Sequence, residues 1–190
     1  DAIICTTPSH IFKNLVKNIS HDFSDSLHEV KYMAALLLIL VLDKSFMKYY
    51  WLNVADTAIP FVGIIEHTNL VPAPNYKGKT ILYISNYIDS DNPMYAAGKT
   101  ELINKYIPHL MKINSKFNES WITDAFHQKV PDAQPIIEKN YSSKLAPHKT
   151  TIKNLYLANT SQIYPEDRGT NYGVRMSRLV TKMLLQNNDF

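Results

Sequence analysis

Apolar residues change their period several times along this chain, and each change marks an element. A short β-prone run, residues 2–6, is stopped by Pro8. Beyond it Ile11, Phe12, Leu15, Val16 and Ile19 recur at spacings of three and four, predicting a strand, a turn and a helix. The polar residues 20–26, with His21, Asp22 and Asp25, are expected to mark a crossing between structural units. From 30 to 42 both alternating faces are apolar: Tyr32, Ala34, Leu36 and Leu38 on one, Met33, Leu37, Ile39 and Val41 on the other. Such a segment is either a central strand covered on both faces or a buried helix, and periodicity does not separate the two. Residues 49–53, 61–68, 80–88 and 121–130 read as further strands of a mixed or antiparallel sheet, with Asn/Pro/Gly/Lys clusters between them. Over 99–113, Leu102, Ile103, Tyr106, Ile107, Leu110 and Met111 form an amphipathic helix that would cover one sheet face, with Pro108 as an expected kink. Residues 131–151 have little periodicity. A strand at 154–159 and a helix at 170–186, with Val174, Val180, Met183 and Leu184 inward, complete an α+β fold.

Composition narrows the function classes. At 45% hydrophobic and 19% charged over 190 residues, the chain is globular and long enough to bury a sizeable core. Its net charge of +3, from 20 basic and 17 acidic residues, is scattered, so no nucleic-acid partner is implied. The most lipid-like run, MAALLLILVL at 33–42, is about half of the roughly 20 apolar residues a spanning helix needs, so no membrane span is expected. A single cysteine, Cys5, excludes an internal disulfide framework or a zinc site on paired cysteines and points to a reducing, cytoplasmic setting. The seven histidines show no H-x-x-x-H or H-E-x-x-H spacing, so no metal site is read. No G-x-S-x-G elbow announces a serine nucleophile either.

The richest stretch is residues 155–175, LYLANTSQIYPEDRGTNYGVR: a strand, a polar loop with two acids and an arginine, then Gly169 and a Thr/Asn helix start. The N–H groups of the first turn, aided by the helix dipole, can hold a phosphate, and Gly169 lets backbone approach closely. Asp167 or Glu166 could accept from a ribityl or ribose hydroxyl. The same residues also describe a surface helix capped by Thr170 or Asn171 beside a solvated Asp167–Arg168 pair, and by residue type alone that plainer arrangement is the commoner one.

The stretch YPEDRGTNY at 164–172, following the strand, resembles the C-terminal segment of FAD-dependent oxidoreductases of the flavin-containing amine oxidase and protoporphyrinogen oxidase superfamily. DAIICTTP at 1–8 resembles the strand and Pro turn by which that fold leaves its FAD domain, and PFVGIIEHT at 60–68 resembles a substrate-domain strand of one bacterial branch. The resemblance implies a substrate-binding domain at 21–149 inserted between two FAD-domain parts, 1–20 and 150–190. It implies FAD as cofactor, lined by Asp167, Gly169, Thr170, Asn171 and Tyr172, and a small-molecule substrate. The chain departs from the pattern in one respect: its five glycines contain no pair spaced two apart, so G-x-G-x-x-G is missing. The adenosine half of an FAD site therefore has to come from elsewhere, and the chain is expected to be the C-terminal part of a longer flavoprotein.

Glu66 and His67 are candidate catalytic side chains. As neighbours in a strand they would point to opposite faces, so only one could meet a given substrate. Tyr49, Tyr50 and Trp51 are either an aromatic substrate wall or sheet packing. The leading reading is two-electron transfer from substrate to flavin. One alternative is the redox-neutral chemistry of UDP-galactopyranose mutase, and another is a non-enzymatic binding module without a dinucleotide half.

Overall fold

A computed structural model of the chain describes residues 1–187. In order, the elements are β1 (Ile3–Cys5), α1 (Ser9–Lys17), α2 (His21–Ser26), β2 (Tyr32–Leu42), β3 (Trp51–Asn53), β4 (Gly63–Glu66), β5 (Thr80–Ile88), α3 (Pro93–Ala96), α4 (Lys99–Ile113), β6 (Ile122–Pro135), β7 (Leu155–Leu157) and α5 (Thr170–Asn187). The fold is α+β, with one parallel and one antiparallel sheet in two compact units, Tyr32–Gln134 and Asp1–Lys31 with Pro135–Phe190.

In the unit formed by both chain ends, β1 and β7 make a two-stranded parallel sheet with Ile3 opposite Leu155 and Cys5 opposite Leu157. Alternation along β7 sends its side chains to two different layers. Leu157 joins Phe12 and Val16 of α1, Phe23 of α2 and Leu27 just after it, whereas Tyr156 and Ala158 pack with Val180 of α5. The polar residues 20–26 are not a crossing between units. Ser20 accepts from the Phe23 N–H at 3.4 Å, starting a short helix that lies wholly inside this unit and buries Phe23. On α5, Val180 is buried as the spacing predicts and Met183 and Leu184 pack beside it, but Val174 is 47% exposed.

In the other unit the sheet order is β3-β4-β5-β2-β6. The apolar run that left helix and strand open is a strand, antiparallel to β5 from Ala34 opposite Ile88 to Leu42 opposite Thr80. Leucine and alanine favour helix by propensity, so the cross-strand partners decide, with Ile84, Tyr83 and Ile81 supplying the β-branched and aromatic side of the ladder. Contrary to the double coverage expected, β2 buries one face only. Leu36, Leu38, Leu40 and Leu42, with Ile64, Leu82 and Ile84, meet Leu102, Tyr106 and Leu110 of α4, while the opposite face is half exposed. Phe61 stacks edge-on against Tyr106 with ring centroids 4.9 Å apart. Pro108 sits inside α4 without ending it. The strand β6 continues through Pro131 because it lies at the sheet edge, where a missing N–H is tolerated. β4 stops at Glu66, since His67 opens a 3-10 turn (His67–Asn69).

Candidate functional site

The carboxyl ends of parallel strands are where α/β sheets open onto ligands. Here both β1 and β7 run into turns joined by a buried polar knot. Asn159, 5% exposed, donates from Nδ2 to the Thr7 carbonyl at 2.9 Å, and its Oδ1 accepts from the Ser161 N–H at 3.1 Å and hydroxyl at 2.7 Å. Because Ser161 Oγ donates to Asn159, the 2.8 Å contact from Ser9 Oγ must be a donation to Ser161. The Tyr141 hydroxyl closes the knot by donating to the Ser161 carbonyl at 2.8 Å. Asn159 also forms a capping box with Gln162 at the head of the short turn Thr160–Gln162. That Asn-x-x-Gln spacing is visible in the sequence, where Asn159 also ends the apolar run of the strand.

Beyond this knot the chain passes a cis Tyr164–Pro165 bond and turns into α5. The Asp167 carbonyl accepts from the Gly169 N–H at 2.8 Å and its carboxylate from the Arg168 N–H at 2.8 Å. The Gly169 carbonyl then accepts from Tyr172 and Gly173 at 3.0 and 3.1 Å, beginning the helix. A Cβ at Gly169 would lie 2.5 Å from Asn171 Oδ1, the far end of an exposed side chain that can turn aside. Asp167, Gly169, Thr170, Asn171 and Tyr172 are thus brought together at one helix start, with Asp167, Thr170 and Asn171 exposed and Gly169 and Tyr172 half-buried. Glu166 pairs with Arg175 at 2.7 Å, and Glu166's own backbone N–H, then Arg175, holds its carboxyl below the usual range.

A cavity of about 220 Å³ adjoins this start, lined among others by His148, Tyr164, Glu166, Tyr172 and Arg175. His148 is held by a 3.0 Å contact from Nδ1 to the Leu157 carbonyl, which makes Nδ1 the protonated nitrogen. Pockets for drug-sized ligands run roughly 300–1,000 Å³, so this one takes a fragment and not a whole dinucleotide. The start of α5 and this fragment-sized cavity lie side by side.

The two candidate catalytic residues lie in the other unit and do not share a site. Glu66, 1% exposed, accepts from the Ser45 hydroxyl at 2.7 Å and from the Phe46 and Met47 N–H groups at 2.9 and 2.6 Å. Its carboxylate therefore pins the loop between β2 and β3. His67 contacts the Tyr76 hydroxyl through Nε2 at 2.7 Å, and its ring stands edge-on to Tyr76 and Tyr83. Tyr49, Tyr50 and Trp51 are 57, 41 and 53% exposed, so they are not buried in sheet packing. Among the described residues no group of three His, Cys, Asp or Glu side chains comes together, and no helix is long and apolar enough to cross a membrane.

No protein-family profile matches the chain, and no curated protein matches it significantly in sequence. Solved structures do. A provisionally assigned protoporphyrinogen oxidase of Exiguobacterium sp. 255-15 superposes over 98% of this chain with TM-score 0.75 and 12% identity. A reduced UDP-galactopyranose mutase superposes over 96% with TM-score 0.65 and 15% identity, and a putrescine oxidase bound to putrescine over 97% with TM-score 0.60 and 10% identity. The chain spans 42% of the length of each of these three. The chain therefore shares its fold with a portion of each of these proteins.

Proposed function

We propose that this chain is the substrate-binding and C-terminal FAD-closing portion of an FAD-dependent oxidoreductase that moves two electrons from a small-molecule substrate to flavin. The observation that carries this reading is the near-complete superposition, 98% of the chain at TM-score 0.75, onto 42% of a flavoenzyme-like protein. The two-stranded parallel sheet supports it. Parallel sheets occur almost always as larger, buried arrays, yet β1 pairs with β7 alone and leaves Ile3 65% and Ile4 41% exposed. Further strands contributed by the rest of a dinucleotide-binding domain would cover them.

In this reading, residues 1–31 and those from 135 onward are FAD-domain parts and Tyr32–Gln134 binds substrate. FAD, when bound, supplies the electron-accepting ring, and the protein supplies position and electrostatics. The first-turn N–H groups of α5 at Thr170 and Asn171 would face the cofactor's anionic or electron-rich edge, stabilised by the positive end of the helix dipole. Asp167 would accept a hydroxyl hydrogen bond, and Tyr172 would close one wall of the adjoining cavity. Asn159 acts at one remove, holding the turns after β1 and β7 in register so that the α5 start is correctly placed. Glu66 fixes the loop that leads into Trp51, and His67 is oriented by Tyr76.

A second reading keeps the fold and changes the chemistry: a redox-neutral rearrangement of a sugar nucleotide, favoured by the 96% coverage of the mutase at TM-score 0.65. Reading the coding region immediately upstream of Asp1 tests the common premise. A strand, G-x-G-x-x-G, a helix and an acidic residue about 20 positions later are expected. Their absence would remove the flavoenzyme reading in both forms.

A further inference from the structure

The antiparallel sheet of the Tyr32–Gln134 unit gathers cations and exposed aromatic side chains at one end. The chain enters this unit at Tyr32 and leaves it at Gln134, and the two crossings lie together, where the Ile136 N–H donates to the Lys31 carbonyl at 2.8 Å. Leu42, the last residue of β2, lies roughly 34 Å along the strand from Tyr32. There the loop 43–50 meets the start of β6, where the Trp121 carbonyl accepts from the Asp43 N–H at 2.8 Å. It also meets the turn after β4, where Asn69 Nδ2 donates to the Met47 and Tyr49 carbonyls at 2.9 and 2.8 Å. With Glu66 accepting from the Phe46 and Met47 N–H groups, the loop is fixed from several sides.

This end exposes apolar area and positive charge together. Tyr49, Tyr50 and Trp51 are 57, 41 and 53% exposed, and Leu70, next to Asn69, is 63% exposed. Lys44, Lys48 and Lys77 are exposed and have no acidic partner among the described residues. The neighbouring acids are already engaged: Asp43 pairs with Lys79, Asp56 with Lys112 at 2.8 Å, and Glu66 is buried under three donors. Glu119, in the turn before β6, is exposed, and Lys116 three residues earlier offsets it. Lys48 Nζ stands 5.0 Å from the centre of the Tyr49 ring and Lys44 Nζ 5.3 Å from that of Trp121, contacts that leave both charges in place. Unpaired lysines beside tyrosine, tryptophan and an exposed leucine suit a surface that is anionic outside and apolar just beneath. Aromatic rings with polar tips settle at the headgroup level of a bilayer, and lysines reach its phosphates. A nucleic-acid backbone would match the charge but leave Leu70 in water.

We infer that this end of the sheet docks on an anionic membrane surface, resting in the headgroup layer. Sedimentation of the chain with vesicles of phosphatidylglycerol and phosphatidylcholine in equal parts tests it. Binding is expected at low salt and should be largely lost in about 0.5 M NaCl, or on phosphatidylcholine alone. Lys44→Gln/Lys48→Gln/Lys77→Gln should weaken it on the order of a hundredfold, about fivefold per lysine. Tyr49→Ser/Leu70→Ser should weaken it roughly tenfold or more. Lys17→Gln/Lys139→Gln/Lys153→Gln, which makes the same change in net charge at exposed positions of the other unit, should leave it within about twofold. Vesicles with brominated acyl chains should quench the tryptophan emission of the unaltered chain, since Trp51 and Trp121 both lie at this end; that readout needs no variant to fold, and circular dichroism checks those that are used. No sedimentation with the anionic vesicles, or no quenching by brominated chains, would overturn the inference. So would equal weakening by the two lysine triples, which would mean attraction by net charge alone. Tighter binding to duplex DNA, lost in the Lys44/Lys48/Lys77 variant, would assign this end to nucleic acid instead. Unchanged vesicle binding in a folded Tyr49→Ser/Leu70→Ser variant would equally refute the docking, and a dimer broken by that variant would make the end a contact between copies.

Discussion

Replacing Glu66 by glutamine removes a buried charge while keeping the side-chain shape, which isolates what the carboxylate does. It accepts three hydrogen bonds, from Ser45 Oγ, Phe46 N and Met47 N, at 2.6 to 2.9 Å. Hydrogen bonds to a charged group are worth about 1.5–3 kcal/mol each, against about 1 for neutral ones. Glutamine has one acceptor oxygen. If that oxygen keeps the two backbone donors, the carboxamide NH₂ faces Ser45, whose hydroxyl can rotate to accept. The loss is then mainly charge assistance at two N–H groups, roughly 1–3 kcal/mol in sum. Glu66→Ala strands the Phe46 and Met47 N–H groups, while the exposed Ser45 hydroxyl keeps the Met47 carbonyl at 3.2 Å, and should cost about 2–5 kcal/mol. For a domain of this size about 1 kcal/mol shifts Tm by roughly 4–8 °C, so Glu66→Gln should lower the midpoint by roughly 4–24 °C. Both tryptophans, Trp51 and Trp121, lie in this unit, so tryptophan emission on heating reports its unfolding. Because the loop leads directly into β3, the native emission of Trp51 should also shift to the red in Glu66→Ala. A Glu66→Gln midpoint within 2 °C of the parent would refute the anchoring role.

Other perturbations follow from the same geometry. Asn159→Ala removes an N-cap and strands buried donors of the knot, so it should destabilise by about 2–4 kcal/mol in urea unfolding followed by far-UV circular dichroism. Gly169→Ala, whose Cβ meets only the movable end of the exposed Asn171 side chain, should cost under about 1 kcal/mol in the same assay; a loss above about 2 kcal/mol would contradict that freedom. Burial pushes the Tyr106 hydroxyl up to about 12 from an ordinary 10. A folded-state value above the unfolded one means that the neutral form carries the stability. That contribution is complete below pH 10 and is lost as pH rises from there towards about 12. Alkaline unfolding should therefore start later in Tyr106→Phe.

How much was legible depends on whether local pattern or long-range pairing decided each element. α4 and α5 were legible because their apolar stripes have the helical period. Leu102, Tyr106 and Leu110 are buried where that period puts them. The run 30–42 was not resolved, because Leu and Ala serve either state and only the β5 ladder chooses. Val174 was misjudged because the stripe on α5 is narrow at its start, where the helix meets the loop instead of the sheet. Asn159 and Ser161 went unnoticed because their partners, Thr7 and Ser9, are about 150 positions away, beyond the reach of local motifs.

The most direct test of the central claim is the visible absorption spectrum of the protein purified from the complete reading frame that encodes this chain. The account predicts a bound flavin whose band bleaches on reduction and returns on reoxidation, and which Gly169→Val weakens or releases. A folded, colourless protein that takes up no added FAD would contradict it.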